Sequence, residues 1–198
     1  MTPIIRKINE FKIEIKEKRV LRSIGHKRKP VNSSLEKAIG AEKKKLDNLL
    51  RPLSIYTIID YSETNKHAIF KDAVKVALCI CTIGPDLERE VEDLTKKNEL
   101  LKALILHSIG SEAVEEVAIQ SDKIIAEEAI KMNLWPSKRF SPGYGEWDLK
   151  EQKFIFKMLP AKEIGVKLNE SFMMIPRKSI SFRVNFYPNQ KFTTRQMK

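Results

Sequence analysis

Residues 98–132 read NELLKALILHSIGSEAVEEVAIQSDKIIAEEAIKM. Apolar side chains recur there at Leu101, Leu104, Ile105, Ile109, Val114, Val117, Ile124, Ile125 and Ile130, which is the spacing of one long helical face, with small Gly110 and Ser111 near the middle. A helix of that length with a broad apolar face needs an extended surface to cover it, so it is expected at the centre of the fold, packed against a sheet.

Strands for that sheet lie on both sides in sequence. Ser54–Tyr61 and Val74–Ile83 are rich in β-branched residues, and Ile8–Ile15 alternates Phe11, Ile13 and Ile15 with Lys12, Glu14 and Lys16. Val166–Ile175 and Ser179–Tyr187 read as two strands joined in a hairpin by Pro176-Arg177-Lys178. Shorter helices fill the intervals. Val20-Leu21 opens one that ends at Gly25, and a basic linker, His26–Asn32, follows. Ser33-x-x-Glu36 has the form of a capping box for a helix whose stripe Leu35, Ile39, Leu46, Leu49 and Leu50 runs to Pro52. Gly84-Pro85-Asp86 breaks the second strand, with Pro85 starting a helix through Leu94. Leu134-Trp135-Pro136 ends the long helix, an ordered loop runs through Lys150, and Asp148-x-x-Glu151 caps a helix through Leu159. The pattern is α/β of the α+β type, one domain over 1–198, with 1–32 as a basic N-terminal strand and helix lobe.

The 198 residues are 42% hydrophobic and 32% charged, which excludes wholesale disorder. The longest apolar runs, Val76–Cys81 and Ala103–Leu106, fall far short of the roughly 18 to 20 residues of a membrane span. Arg6 and Lys7 stand where an export signal needs its apolar core, so a cytoplasmic location is expected. Cys79 and Cys81 share one face of an alternating strand and read as reduced core thiols, because they lack the further ligands that zinc or an iron–sulfur cluster needs. The net charge of +11 is uneven: residues 1–52 carry +9, 85–132 carry −6 and 133–198 carry +8. Basic ends around an acidic middle suit a nucleic acid or an acidic protein partner.

Arg139-Phe140-Ser141-Pro142-Gly143-Tyr144-Gly145-Glu146-Trp147 is the most unusual stretch. Gly143 and Gly145 let backbone approach a ligand, Arg139 offers a bidentate clamp for a carboxylate or phosphate, and Tyr144 brings a ring and a hydroxyl. A structural turn with Arg139 in a salt bridge is the alternative reading of the same residues.

Arg139-Phe-Ser-Pro-Gly143-Tyr144 resembles the R-x-x-x-G-Y signature of the activation domain of cobalamin-dependent methionine synthase. A second block, Gly165-Val-Lys167-Leu-Asn-Glu170-Ser171 through Met173, Pro176 and Ser179-Ile-Ser181, is similar to that family's G-x-K-L-T-E-S-x-x-M-x-P-x-x-S-V-S. Arg51-Pro52 and Ile83-Gly84 add weaker likeness to its small stand-alone members. The resemblance implies a central antiparallel sheet with flanking helices. It also implies reductive reactivation: cob(II)alamin receives an electron, and S-adenosylmethionine methylates the reduced cobalt. Methyl transfer drains the scarce reduced state and draws an uphill reduction forward.

By the same resemblance Arg139 binds the methionyl carboxylate of S-adenosylmethionine, and Pro142 and Gly143 shape the loop against the ligand. Tyr144 faces the corrin as the catalytic residue. Glu170 and Ser171 contact the ligand or support the Arg139 loop, and Phe192 is the nearest equivalent of a ligand-holding tyrosine. Glu112, Glu115 and Glu116 are candidates for an acidic partner to the loop. The family's ligand-binding aspartate has no match, since Asp60 and Asp72 lack its context. The histidine signature of a cobalamin-binding domain is absent, so the cobalamin would come from a separate methionine synthase subunit. A flavodoxin or ferredoxin would be the electron donor. Alternatives are a reactivator of a different corrinoid methyltransferase and a catalytically inert structural subunit. A basic nucleic-acid-binding module rests on Lys27-Arg28-Lys29 and Lys43-Lys44-Lys45 alone, so no specific nucleic acid is expected.

Overall fold

The computed structural model describes residues 4–26, 33–64 and 70–188. Five strands form one antiparallel sheet in the order β1-β2-β3-β7-β4. They are β1 (Arg6–Ile8), β2 (Leu53–Asp60), β3 (Lys75–Thr82), β4 (Leu134–Pro136) and β7 (Ser179–Pro188). A small separate hairpin pairs β5 (Lys167–Leu168) with β6 (Met174–Ile175). On β3 every residue after Lys75 is buried, because both faces of the sheet are covered and the strand can be apolar throughout.

Side-chain alternation divides the interior into two cores. Tyr56, Ala77, Cys79, Cys81, Phe182, Val184 and Phe186 point to one face, where α5 (Leu100–Lys131) lies. On this side α5 packs with α1 (Glu17–Ser23), α2 (Ser33–Lys43) and α4 (Asp86–Lys96). Ile55, Ile59, Val76, Leu78 and Ile80 point the other way, against Phe70, Trp147, Ile155 on α6 (Gln152–Met158), and the 160s turn. The long helix is therefore central, as its periodicity predicts. Cys79 and Cys81 are buried free thiols on the α5 face, and burial pushes Cys79 up to about 12.

Four local expectations are corrected. The N-terminal strand is Arg6–Ile8, not Ile8–Ile15. Its ladder with β2 ends at Ile8↔Ser54, next to Leu53 and Pro52, and proline has no N–H to extend it. Residues 9–15 instead lie along α5, where the Gln120 amide donates to the Lys12 carbonyl at 2.7 Å and accepts from its N–H at 3.2 Å. The helix expected to reach Pro52 divides into α2 and α3 (Leu46–Leu49), with buried Glu42 held by Lys45 at the break. Leu134-Trp135-Pro136 is an edge strand on β7, a position that tolerates its proline. Val166–Ile175 is not one strand and makes no hairpin with β7. The Asn169 carboxamide oxygen accepts from the N–H groups of Ser171 (3.0 Å) and Met173 (2.9 Å), so the chain folds back on itself. The basic linker at 27–32 lies outside the described residues. Among the described residues, no helix is long and apolar enough to cross a membrane.

Candidate functional site

Strand β4 covers only the last three residues of β7, and Phe140 then bridges Arg183. The first half of β7 therefore has an open edge on that side. The alternation that turns the Arg183 and Asn185 main chains toward Phe140 and Ser137 turns the Ser181 main chain into this opening. A cleft of about 510 Å³ occupies it, between α5, the 139–144 loop and the β5–β6 hairpin. Glu115, Arg139, Pro142, Tyr144, Gln152, Met173, Ser179 and Ser181 are among its lining residues.

Arg139 enters the cleft beside α5, where its guanidinium donates to the Glu115 carboxylate and packs over the Phe182 ring, 5.8 Å from the centroid. Asp122, two helical turns beyond Glu115, also senses this cation. Burial pushes its carboxyl up and Arg139 partly opposes that shift. The three glutamates flagged on this helix thus separate: Glu112 pairs with Arg19, Glu116 accepts from Gln120, and Glu115 alone of the three meets Arg139.

Pro142 is buried in the cleft wall, while Tyr144 stands 69% exposed at the mouth. Between them Gly143 sits at φ +90°, and its N–H donates to the Trp147 carbonyl at 2.7 Å. A Cβ there would make ordinary contact with Leu149, so backbone conformation, not space, requires the glycine. Trp147 N–H donates in turn to the Tyr144 carbonyl at 3.1 Å, closing a tight turn whose tip is presented outward.

Glu170 and Ser171 are not brought to this cleft. They sit exposed at the tip of the β5–β6 hairpin, in a separate shallow depression with Lys167 and Asn169. No described hydrogen bond ties either side chain to the Arg139 loop. Phe192 lies outside the described residues. Asp60, paired with Lys75, does not line the cleft.

Gln152 was not singled out by the sequence, and Ser181 entered only as part of the second family-like block, with no role assigned. Gln152 is buried at the start of α6, donates to the Phe172 carbonyl at 3.0 Å and accepts from the Ser181 hydroxyl at 3.2 Å, joining the hairpin to β7. An interior polar residue opening a helix is the one sign that could have marked it. Within the basic run at 43–45, Lys43 pairs with Glu17 and Lys45 with Glu42 and Glu90, while Lys44 is exposed.

No curated protein matches the chain in sequence. Thirteen chains of solved structures do match in fold, among them the crystal structure of the MetH reactivation domain bound to AdoHcy (S-adenosylhomocysteine). That match has a TM-score of 0.68 at 16% identity, covering 96% of this chain and 80% of that one, and it shows a shared fold. Residues 54–194 match the family described as vitamin B12 dependent methionine synthase, activation domain, a span that includes the whole 139–144 loop. The chain belongs to the activation-domain family of vitamin B12-dependent methionine synthase.

Proposed function

We propose that the cleft binds S-adenosylmethionine, and that the chain acts as an activation subunit for the reductive methylation of cobalamin carried by a separate methionine synthase. The observation that carries this reading is Arg139: a residue that chemistry and family motif both single out stands in the wall of a cleft of ligand size. Small-molecule sites typically measure about 300–1,000 Å³, and this cleft is about 510 Å³.

The lining residues fit the ligand. A guanidinium fork matches a planar carboxylate in charge and geometry, and Glu115 beside it suits the neighbouring ammonium of an amino acid. The Ser181 main chain offers hydrogen-bonding groups along the open strand edge, while Pro142 and Met173 supply apolar wall. When bound, S-adenosylmethionine supplies an electrophilic methyl group for a reduced cobalt. The task of this chain is then to orient the ligand and keep its reactive end toward the partner, with Tyr144 at the mouth where the partner's corrin would arrive. A flavodoxin- or ferredoxin-type protein is the proposed electron donor.

Titration calorimetry with S-adenosylmethionine tests the reading, on the chain alone and with a cobalamin-loaded methionine synthase lacking an activation domain. Arg139→Ala is expected to lose about 2 kcal/mol or more of binding, the scale of a charge-assisted bidentate contact. Unchanged affinity in the folded variant would remove Arg139 from the site. No binding by the wild type in either condition would favour the inert structural subunit.

A further inference from the structure

Arg183 lies in the middle of β7, on the face away from α5, and is 9% exposed. It has no carboxylate partner among the described residues. Nη1 donates to the Asn185 side-chain oxygen at 2.6 Å, and Nε is buried with no hydrogen-bond partner among the described residues. Aromatic rings take the place of an anion. The guanidinium carbon stands 5.4 Å from the centroid of Phe70, 5.2 Å from Phe140 and 5.3 Å from Trp147. Phe140 and Trp147 stack at 6.5 Å, and Phe70 meets Trp147 edge-on at 6.1 Å.

Two of these rings are the roots of the ligand loop. Phe140 follows Arg139 directly and exchanges two main-chain hydrogen bonds with Arg183, at 2.8 and 3.0 Å. Trp147 closes the turn that presents Tyr144. Both ends of the 140–147 excursion therefore rest on one side chain. A cation over several desolvated rings is held by their quadrupoles, and a rigid plane fixes ring positions in a way that a flexible apolar side chain cannot.

We propose that Arg183 is a positioning residue for the candidate site: its guanidinium gathers Phe140 and Trp147 and thereby sets where Arg139 and Tyr144 stand. For its ligand the proposal rests on the S-adenosylmethionine reading, but its structural half does not.

Hydrogen exchange on the full chain tests the structural half without ligand. In the wild type the amides of Gly143 and Trp147 should be protected together with those of Phe140 and Arg183. In Arg183→Met and Arg183→Lys the loop amides should exchange much faster while β3 amides stay protected. Loop amides that exchange freely in the wild type, or unchanged protection in either folded variant, would overturn the proposal. Should both arginine variants fail to fold, Phe140→Leu is expected to give the same selective loss around Trp147, and no change there would overturn it equally.

The ligand half compares S-adenosylhomocysteine with 5′-methylthioadenosine, which lacks the carboxylate that Arg139 would hold. Arg183→Met should weaken the first by about tenfold, the scale of a desolvated cation–π contact, and the second by less than about twofold. Equal weakening of both would reduce Arg183 to general support and overturn its link to Arg139. Failure of the wild type to bind either ligand would count against the proposed function, and the exchange data would still decide Arg183.

Discussion

Glu115→Gln keeps the size of the side chain beside Arg139 and removes its charge. Arg139 would then lose the partner that fixes its fork, and the proposed ammonium site would lose its anion. Binding of S-adenosylhomocysteine is expected to weaken about tenfold, the scale of one charge-assisted hydrogen bond, with 5′-methylthioadenosine unaffected. Calorimetry with the two ligands checks this, and an equal loss for both would confine Glu115 to holding the loop. The place of Arg139 in the cleft wall was legible in the sequence because it opens the family-like R-x-x-x-G-Y motif among proline, glycine and aromatic residues. Its partner was not, since Glu112, Glu115 and Glu116 share one helical surface, and only the packing of α1 and the 9–15 segment assigns the first to Arg19 and the third to Gln120. Arg183 was hidden for a related reason. A charged residue in a strand reads as solvent-facing, and nothing local announces that three rings from distant segments will enclose it.

The seam between α4, α5 and β7 is where helix packing bears most directly on the cleft edge. A Cβ added at Gly110 on α5 would stand 2.6 Å from Leu87 Cδ2 and 3.3 Å from Lys178 Cε. Leu87 is fully buried, so it has little room to yield. Gly110→Ala is therefore expected to destabilise the protein by about 1–3 kcal/mol through overpacking, despite alanine's better helix propensity, as read by denaturant melting. A gain in stability would mean that α4 can shift outward. Lys178 crosses the same seam, 7% exposed, donating to the Ser111 hydroxyl at 2.7 Å with His107 Nε2 at 3.3 Å. Burial lowers its pKa from the ordinary 10.5, with Glu88 opposing the shift and Arg177 adding to it. A lysine depressed in the folded state contributes stability above its unfolded value and loses it as pH falls through the folded one. Lys178→Met should thus gain stability relative to wild type at neutral pH, an advantage that shrinks as pH approaches 10.5; paired melts at both pH values check the sign. At this scale β2 and β3 were legible from their β-branched runs and α5 from its helical spacing. Strand β4 was not, being three residues with a proline that only the free edge of β7 turns into a strand. The β5–β6 hairpin also escaped, since it depends on one Asn169 side chain folding back a run that otherwise reads as continuous strand.

Across the whole molecule an acidic and a basic stretch of the chain meet at the cleft. Residues 85–132 carry −6, whereas the chain from residue 133 onward carries +8. On the side of α6 and the hairpin, Lys150, Lys153, Lys157, Lys162 and Lys167 are all exposed. The cleft draws on both stretches, with Glu115 from the acidic one and Arg139 from the basic one. Its mouth is apolar: Tyr144 is 69% exposed and Met173 51%, with Ile175 nearby at 41%. A partner bringing cobalamin to this mouth, or an acidic electron donor, would be drawn by the lysines at long range and meet the apolar rim only at contact. Raising salt from about 0.1 M to 1 M shortens the Debye length from about 10 Å to 3 Å, which screens the first effect and spares the second. The association rate with an acidic flavodoxin- or ferredoxin-type donor, followed by stopped flow, is therefore expected to fall at least about tenfold over that range. Charge reversal at Lys153 and Lys157 should produce a similar fall at low salt without changing S-adenosylmethionine affinity, because neither lysine lines the cleft. A rate indifferent to salt would assign docking to the Tyr144, Met173 and Ile175 rim and leave these exposed lysines without a role in encounter.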